Sequence, residues 1–285
     1  MKKFPVRGFP GGTALQMLIV AAVLAVMLFP FYWIFSSSFK PIGEIMTTHP
    51  SLVPRQPTLR NYLEIFLSIS PVRNFPRFLL NSLIVSLATA VISTLIAIAG
   101  GYALARYSFP GKTALSRCLL FVYVFPTVLL LVPIYQIMTK LGLLDKWISL
   151  VIVYTTLVAP FCAWLLSGFF RSIPIELEES GRVDGASRFG ILFRILLPIA
   201  APGVVTAAVY AFVTSWGEYM FALLLMFSNE MKTAPLGLSS FMAEQYIEWG
   251  PLLSGSVLVI LPITIFFLPF AKYFVKGLAS GAVKG

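Results

Sequence analysis

The amino-acid sequence predicts an all-α polytopic membrane protein with six transmembrane helices. Hydrophobic residues make up 58% of its 285 residues and charged residues only 11%, whereas soluble domains have about 45–50% and about 25%. A helix needs roughly 20 apolar residues to cross a bilayer. Windows of this kind occur six times, at residues 14–35, 79–103, 117–138, 147–169, 203–226 and 252–274.

The first apolar segment is predicted to be a membrane anchor. It follows Lys2, Lys3 and Arg7, as the apolar part of a signal peptide would. Its apolar run is too long for a signal peptide, however, and no small-residue cleavage pattern ends it. All six segments contain proline or glycine, which membrane helices tolerate because neighbouring groups satisfy the freed backbone.

The basic residues indicate an orientation in the membrane. The formal net charge is +10, but the basic residues are scattered between apolar segments, so we predict no nucleic-acid partner. Membrane proteins concentrate Lys and Arg in their cytoplasmic loops. With the N-terminus inside, thirteen of the 21 Lys and Arg residues are cytoplasmic: Lys2, Lys3, Arg7, Arg106, Lys112, Arg117, Arg171, Arg182, Arg188, Arg194, Lys272, Lys276 and Lys284. Both termini are then cytoplasmic, whereas Arg55 and Glu244 lie outside.

A charged stretch from Glu176 to Pro198 interrupts the apolar segments. Pro174 suits a first helical turn, the glutamates that follow lie near the positive helix end, and Asp184-Gly185 offers a left-handed stop. A second helix is predicted from about Ser187. The first helix has only about two to three turns and is marginal alone, so we expect it to dock on a partner surface. The alternative is an amphipathic helix on lipid headgroups, which its acidic character disfavours.

The spacing within this stretch resembles the signature of the membrane subunits of ABC importers. That signature runs Glu-Ala-Ala, three residues, Gly, nine residues, Ile, one residue, Leu-Pro. The matching positions are Glu179, Gly185, Ile195, Leu197 and Pro198. The two alanines are replaced by Ser180 and Gly181. Because Gly costs about 1 kcal/mol of helix propensity relative to Ala, we expect a somewhat looser first helix.

The resemblance implies the ABC importer permease fold, with this stretch as its coupling helix. In that family the coupling helix sits in a cleft of the ATP-hydrolysing subunit and passes its closure to the transmembrane helices. The residues that the resemblance assigns to ATPase coupling are Glu178, Glu179, Arg182, Asp184, Gly185, Ala186 and Pro198.

More of the chain resembles the maltose-type carbohydrate branch of these permeases. The resembling pieces are Ser38-Phe39-Lys40-Pro41, Asn81-Ser82, Ser215-Trp216-Gly217-Glu218-Tyr219 and the tail at residues 277–285. The family usually has Asn where this chain has Gly217, which weakens a sugar-contact role there. For the tail, the resemblance implies contact with the ATPase dimer interface through Gly281 and Lys284. The alternative for the tail is a frayed terminus.

Polar side chains recur on one face of two predicted spans. They are Ser82, Ser86, Thr89 and Ser93 on the second span, and Thr206, Tyr210, Thr214 and Glu218 on the fifth. For the second span we favour helix packing. Glu218 is an intramembrane charge, which indicates function, unless the helix ends early and leaves it interfacial. Sugars bind aromatic faces with hydrogen-bonding neighbours, although aromatic residues also anchor membrane interfaces. The candidate substrate-pathway residues are Tyr210, Thr214, Trp216, Glu218, Tyr219 and Asn81.

The sequence predicts a transport subunit instead of an enzyme. Gly111-Lys112-Thr113 copies the end of a phosphate-binding loop, but that motif requires Gly where the chain has Arg106. A short turn is predicted there. His49 stands alone, and Cys118 and Cys162 lie in apolar segments. We predict no catalytic residue, no metal and no cofactor bound by this chain, with ATP and Mg held by partner ATPase subunits.

The predicted organisation is a cytoplasmic N-terminus at residues 1–13, a six-span permease domain at residues 14–276 with the coupling loop at residues 170–202, and a cytoplasmic tail at residues 277–285. The predicted function is ATP-driven import of a disaccharide or oligosaccharide across a bacterial or archaeal cytoplasmic (inner) membrane. Expected partners are a second, non-identical permease, two ATPase subunits and an extracytoplasmic solute-binding protein. The alternatives are an ABC permease for polyamine, phosphate or glycerol phosphate, and an ion-coupled secondary transporter, which needs buried carboxylates for its ion.

Overall fold

The computed structural model describes residues 12–67, 74–242 and 246–282, with side-chain surroundings for residues 14–67, 74–242 and 246–271. Within these ranges the regular structure is helical, apart from an isolated antiparallel bridge between Met242 and Ile247. The predicted all-α class is confirmed. The residues used above that fall outside the described ranges are Lys2, Lys3, Arg7, Glu244 and Lys284.

Long apolar helices alternate with short ones along the chain. The helices of the first part are α1 (Gly12–Ser38), α2 (Ile42–Ile45), α3 (Arg60–Leu67), α4 (Phe75–Arg106), α5 (Lys112–Phe121), α6 (Leu131–Lys140) and α7 (Trp147–Ser172). The helices of the second part are α8 (Glu176–Val183), α9 (Arg188–Ile191), α10 (Leu197–Ile199), α11 (Ala201–Trp216), α12 (Met220–Leu225), α13 (Ala234–Leu238) and α14 (Trp249–Ala282). A π-helical turn, Leu192–Leu196, joins α9 to α10.

Length and composition allow up to six membrane crossings in the described part of the chain. Helices α1, α4, α7 and α14 are each long and apolar enough to cross a membrane. Two bent pairs complete the six if each pair is one span. These pairs join residues 112–124 to 127–140, with a bend of 96°, and residues 188–199 to 201–216, with a bend of 81°.

The third predicted segment, residues 117–138, is broken. Pro126 lies at the break, and Phe125 before it is extended, with φ −77° and ψ 128°. Proline has no N–H to donate, and its ring disfavours the helical conformation in the residue that precedes it. A window that averages hydropathy is insensitive to this effect, because the residues on both sides of the break are apolar.

The prediction of one helix over residues 203–226 is also wrong. Helix α11 ends at Trp216, and α12 is a separate helix. The Glu218 carboxylate accepts hydrogen bonds from the backbone N–H groups of Phe221 (2.9 Å) and Ala222 (3.2 Å). A side-chain oxygen that satisfies the first N–H groups of a helix stabilises its start. The chain therefore begins a new helix here instead of continuing α11.

The last helix continues further than predicted. Helix α14 ends at Ala282, so the backbone of residues 277–282 is helical, whereas the predicted segment ends at residue 274. Pro262 and Pro269 both lie inside this helix. Internal prolines are tolerated in membrane helices.

The chain divides into two compact units. The first comprises residues 1–67 and 241–257, and the second comprises residues 68–240 and 258–285. In the first unit the Asn61 side chain of α3 donates hydrogen bonds to the carbonyl oxygens of Ser38 (2.8 Å) and Lys40 (2.9 Å), at the end of α1. Residues 14–32 of α1 are exposed. The exposed surface of this helix is largely apolar.

The core of the second unit is built where α4 packs against α7 and α11. A Cβ atom on Gly101 would lie 2.9 Å from the Cβ atom of Leu166 and 3.0 Å from the carbonyl oxygen of Ala163. Helices α4 and α7 therefore approach so closely that only glycine fits without rearrangement. The polar stripe of the second span is buried, as the packing interpretation predicts. Its members are Ser82, Ser86, Thr89 and Ser93.

Candidate coupling site

The charged loop folds as the sequence predicts, into a short helix, a left-handed turn and a second helix. Gly185 has φ +78°. The N–H of Gly185 donates to the carbonyl of Arg182 (3.0 Å), and the N–H of Ala186 donates to the carbonyl of Gly181 (2.9 Å). This pair of bonds is the Schellman motif, which satisfies the last carbonyls of a helix. The Ser187 hydroxyl then caps α9 by accepting from the N–H of Gly190 (3.1 Å).

Gly181 serves close packing within this loop. It is buried, and a Cβ atom on it would lie 2.8 Å from Cδ1 of Ile195 and 3.3 Å from Cγ1 of Ile191. Helix α8 therefore lies directly against the returning segment. We expected a looser helix from the substitution at this position, but the structure keeps α8 regular and uses the missing side chain for contact.

Glu178 faces the interior of the chain. Its side chain is 1% exposed, and its carboxylate pairs with Nε of Arg106 at the end of α4. The Tyr102 hydroxyl donates to Oε2 of Glu178 at 3.3 Å, and Nη2 of Arg182 lies 4.0 Å from the same oxygen. Arg106 also donates through Nη2 to the carbonyl of Ile173 at 2.8 Å. Glu178 is thus buried within the chain and ties α8 to α4, unlike the exposed residues that the resemblance also assigns to ATPase coupling.

Two further arginines bind at the end of α4. Nη1 of Arg188 donates to the Tyr107 hydroxyl at 3.2 Å, and its guanidinium lies 5.5 Å from the centre of the Tyr107 ring. Nη2 of Arg171 donates to the carbonyl of Leu104 at 3.2 Å. Cations stabilise the negative C-terminal end of a helix. Three arginine side chains therefore bind at the C-terminal end of α4, which is predicted to lie on the cytoplasmic side.

Other residues of the loop point outward. We define the exposed loop surface as Glu179, Arg182, Val183, Asp184 and Phe189, all of which are exposed. Val183 is 87% exposed and Phe189 is 76% exposed. Apolar side chains with charged neighbours are the usual composition of a protein–protein interface. The exposed loop surface is therefore suited to bind another protein.

Phe189 is a residue that the sequence predictions missed. The available signal was a large apolar residue in the otherwise small and polar run from Ala186 to Gly190. Of the remaining predicted coupling residues, Gly185 and Pro198 are exposed and Ala186 is half-buried. The structure thus brings Gly185 and Ala186 together in the turn, and it leaves Pro198 on α10.

Two predicted pathway residues are structural instead. Trp216 is 2% exposed, stacks on Phe212 and donates its indole N–H to the carbonyl of Val259 at 3.0 Å. Asn81 is 1% exposed, and its amide donates to two carbonyl oxygens of the segment after α12. The acceptors are Glu230 and Lys232, at 2.8 Å each. Because their polar groups are buried and already paired, neither side chain faces a solute route in this structure.

The remaining pathway candidates lie near the break after α11. Thr214 is exposed, and Tyr210 and Tyr219 are half-buried. The ring centre of Tyr210 lies 4.5 Å from that of Phe161. Glu218 is half-buried and accepts a hydrogen bond from the Tyr154 hydroxyl at 2.6 Å. The sequence predicted that Glu218 continues the helical stripe of Tyr210 and Thr214. This prediction is wrong, because α11 ends before Glu218.

The other motifs adopt local structural roles. Gly111 has φ +82° and precedes α5, which confirms the predicted turn. Among the residues that the structure describes, no group of three or more His, Cys, Asp and Glu side chains is placed to hold a metal ion. Cys162 is buried, and Cys118 is exposed.

The apolar helices and the charged loop define a permease component of an ABC transporter. Residues 93–279 match the family described as the binding-protein-dependent transport system inner membrane component. The chain belongs to this family, which consists of inner-membrane proteins that work with a binding protein. It is a transport subunit of an importer, and ATP hydrolysis belongs to a separate ATPase subunit.

Permease proteins of two named transport systems are similar to this chain over nearly its whole length. The sulfoquinovosyl glycerol transport system permease protein SmoH of Agrobacterium fabrum is 36% identical, over 97% of this chain and 96% of its own length. The trehalose transport system permease protein SugB of Mycobacterium tuberculosis is 36% identical, over 92% of this chain and 94% of its own length.

A solved structure has the same fold. It belongs to a bacterial ABC transporter involved in the import of the acidic polysaccharide alginate. The TM-score is 0.80 at 22% sequence identity, with 96% of this chain and 100% of that chain covered. The helical permease fold is therefore common to the two proteins.

Proposed function

We propose that this chain is the permease subunit of a sugar importer and that its exposed loop surface docks on an ATPase subunit in the cytoplasm. The observation that carries the docking proposal is the exposure of Val183 (87%) and Phe189 (76%) on either side of the Gly185 turn. Burial of such side chains in a partner removes apolar surface from water, which favours association. Glu179, Arg182 and Asp184 then form the charged surround of the contact.

A sugar is the solute that the comparisons favour. Sulfoquinovosyl glycerol and trehalose, named for two similar permeases, are both glycosides. We propose a disaccharide or oligosaccharide as the solute, delivered by an extracytoplasmic solute-binding protein. Polyamine, phosphate and glycerol phosphate remain the solutes to test against it.

The complete transporter contains a second, non-identical permease and two ATPase subunits, which hold ATP and Mg. Residues 14–32 of α1 are exposed, which supports contact of that helix with a partner subunit or with lipid. In the proposed orientation both termini are cytoplasmic, and the tail contacts the ATPase dimer through Gly281 and Lys284. Tyr210, Thr214, Tyr219 and Glu218 are the proposed pathway residues, and Cys scanning with a small hydrophilic thiol reagent in different ATP states tests their access to solvent.

The docking proposal is tested with a matched pair of substitutions. Val183→Asp puts a charge at the centre of the exposed loop surface, so we expect the amount of ATPase that co-purifies to fall at least about tenfold. Val53→Asp makes the same chemical change at a residue that is 66% exposed in the first unit, on the proposed outer side. It should leave ATPase retention unchanged. Retention by the Val183→Asp variant at the level of the unmodified chain would refute docking through this surface.

The solute and the energy source are tested separately. Isothermal titration of the partner binding protein against disaccharides, polyamines, phosphate and glycerol phosphate identifies the solute class. Uptake in cells should stop when ATP is depleted and persist when the ion gradient is collapsed. The opposite pattern would identify a secondary transporter.

A further inference from the structure

We propose that the ion pair between Arg106 and Glu178 is the joint through which movement of α8 is passed to α4. Both side chains would then be positioning residues for transport, because they act through the helices that they join. The inference rests on the proposed function, since α8 transmits movement only if the loop is docked on the ATPase.

The geometry of the pair makes it stiff. The Arg106 side chain is 11% exposed and the Glu178 side chain 1% exposed. One guanidinium reaches two places at once, since Nε bonds Glu178 on α8 and Nη2 bonds the carbonyl of Ile173, which precedes α8. Separating the two charges would remove the closest opposite charge from each of them in a medium of low dielectric constant. Helix α8 therefore cannot shift without drawing the end of α4 with it.

The position of Arg106 connects the ion pair to the helix core of the second unit. Arg106 is the last residue of α4, and α4 is the helix that packs against both α7 and α11. The loop has another contact at this end, between Arg188 and Tyr107, but that contact is exposed. Exposed pairs contribute little. The Tyr102 hydroxyl of α4 also donates to Glu178, at 3.3 Å, but it is neutral, so among the described residues the ion pair of α8 with α4 is the one between Arg106 and Glu178.

The test measures solute transported per ATP hydrolysed by the complete transporter in proteoliposomes. Arg106→Gln and Glu178→Gln should each retain the ATPase, because the exposed loop surface is untouched, and should lower this ratio about tenfold. The exchanged pair, Arg106→Glu with Glu178→Arg, should recover a substantial part of the ratio. Arg106→Lys should give an intermediate ratio, since an ammonium group lacks the fork that bonds Glu178 and Ile173 together.

The matched control is an Arg–Glu pair at the opposite end of α4. Arg77 and Glu230 lie 3.3 Å apart with side chains 41% and 65% exposed, so Arg77→Gln should change the ratio by less than about twofold. A purely structural role for Arg106 would lower the amount of assembled transporter and leave its ratio unchanged, which would overturn the proposal. If the single variants fail to accumulate, the exchanged pair is the deciding variant. Recovery of its ratio of solute transported to ATP hydrolysed supports the joint, and a ratio that stays low refutes it.

The two proposals fail in distinguishable ways. If Val183→Asp releases the ATPase while Arg106→Gln transports with an unchanged ratio, docking stands and the joint is refuted. If Val183→Asp retains the ATPase, docking through the exposed loop surface is refuted whatever the Arg106 variants do.

Discussion

Two carboxylates in the second unit, Glu178 and Glu218, are bound in different ways. Glu178 is buried and pairs with Arg106, which lies 72 residues earlier in the chain. Glu218 is half-buried and accepts from the N–H groups of Phe221 and Ala222, three and four residues later. The first carboxylate joins two helices by an ion pair, whereas the second caps the start of α12 and accepts a hydrogen bond from Tyr154 of α7.

The two carboxylates therefore have different structural roles: Glu178 connects two helices, and Glu218 is a helix cap. Removing one member of a buried ion pair leaves the other charge without compensation. Removing a capping side chain costs typically about 1 kcal/mol. We therefore expect the two regions to respond to mutation with different magnitudes, and the following experiments order these responses from the largest to the smallest.

Glu178→Ala should have the largest effect. It strands the Arg106 guanidinium, which is 11% exposed, so the free energy of unfolding should fall by about 3–5 kcal/mol. The measurement is reversible unfolding of the purified subunit in detergent. A loss below about 1 kcal/mol would show that water enters freely around Arg106 and would remove the distinction between the two carboxylates.

Gly101→Ala tests how much of the same end of α4 depends on close helix approach. The added methyl group would lie 2.9 Å from the Cβ atom of Leu166, so overpacking should destabilise the unit by about 1–3 kcal/mol. Gly100→Ala is the matched control, because its methyl group would meet only the Cβ atom of Ala163, at 3.5 Å. That variant should be neutral or more stable. Equal effects at the two glycines would contradict the close approach.

Glu218→Gln addresses the capping carboxylate. The amide keeps one acceptor oxygen, so we expect a loss of about 1 kcal/mol in the free energy of unfolding. A double-mutant cycle with Tyr154→Phe isolates the contact of Glu218 with the Tyr154 hydroxyl, which is 2.6 Å long. Strictly additive effects of the two substitutions would show that this hydrogen bond contributes nothing to stability.

Asp145 provides a third carboxylate, with the smallest expected effect and a dependence on pH. Its Oδ1 accepts from the N–H groups of Phe227 (2.9 Å) and Ser228 (3.0 Å). Burial raises the pKa of Asp145, but the bonds from Ser228 and Phe227 outweigh burial and hold its pKa below the ordinary value. A lowered pKa gives stability that is present above the unfolded pKa, about 3.9, and is lost as the pH falls through the folded pKa.

The difference in melting temperature between the unmodified chain and Asp145→Asn should therefore be constant near neutral pH and should shrink below about pH 4. We expect the difference near neutral pH to correspond to less than about 1 kcal/mol. A difference that grows as the pH falls would show that the carboxylate is destabilising.

The comparison of the two carboxylates also shows what the sequence could predict. The turn at Gly185 was predictable because its determinants are local: a polar stop, a glycine and a capping serine within a few residues. Pairing of Glu178 with Arg106 depends on the packing of α4 and α8, and spacing within the loop holds no signal for it. Composition predicted the spans, but the breaks at Pro126 and Glu218 are local backbone events within apolar sequence.

Helix α4 is held at both ends by segments that follow it in the chain. Near its start, Asn81 binds the carbonyls of Glu230 and Lys232, and at its last residue Arg106 binds Glu178. Its 32 residues make it about 48 Å long at about 1.5 Å per residue. In the proposed joint, a displacement of Arg106 along the helix axis reaches the start of α4 through the hydrogen-bonded helix itself. One continuous helix therefore connects the segment at Glu230 with the loop at Glu178.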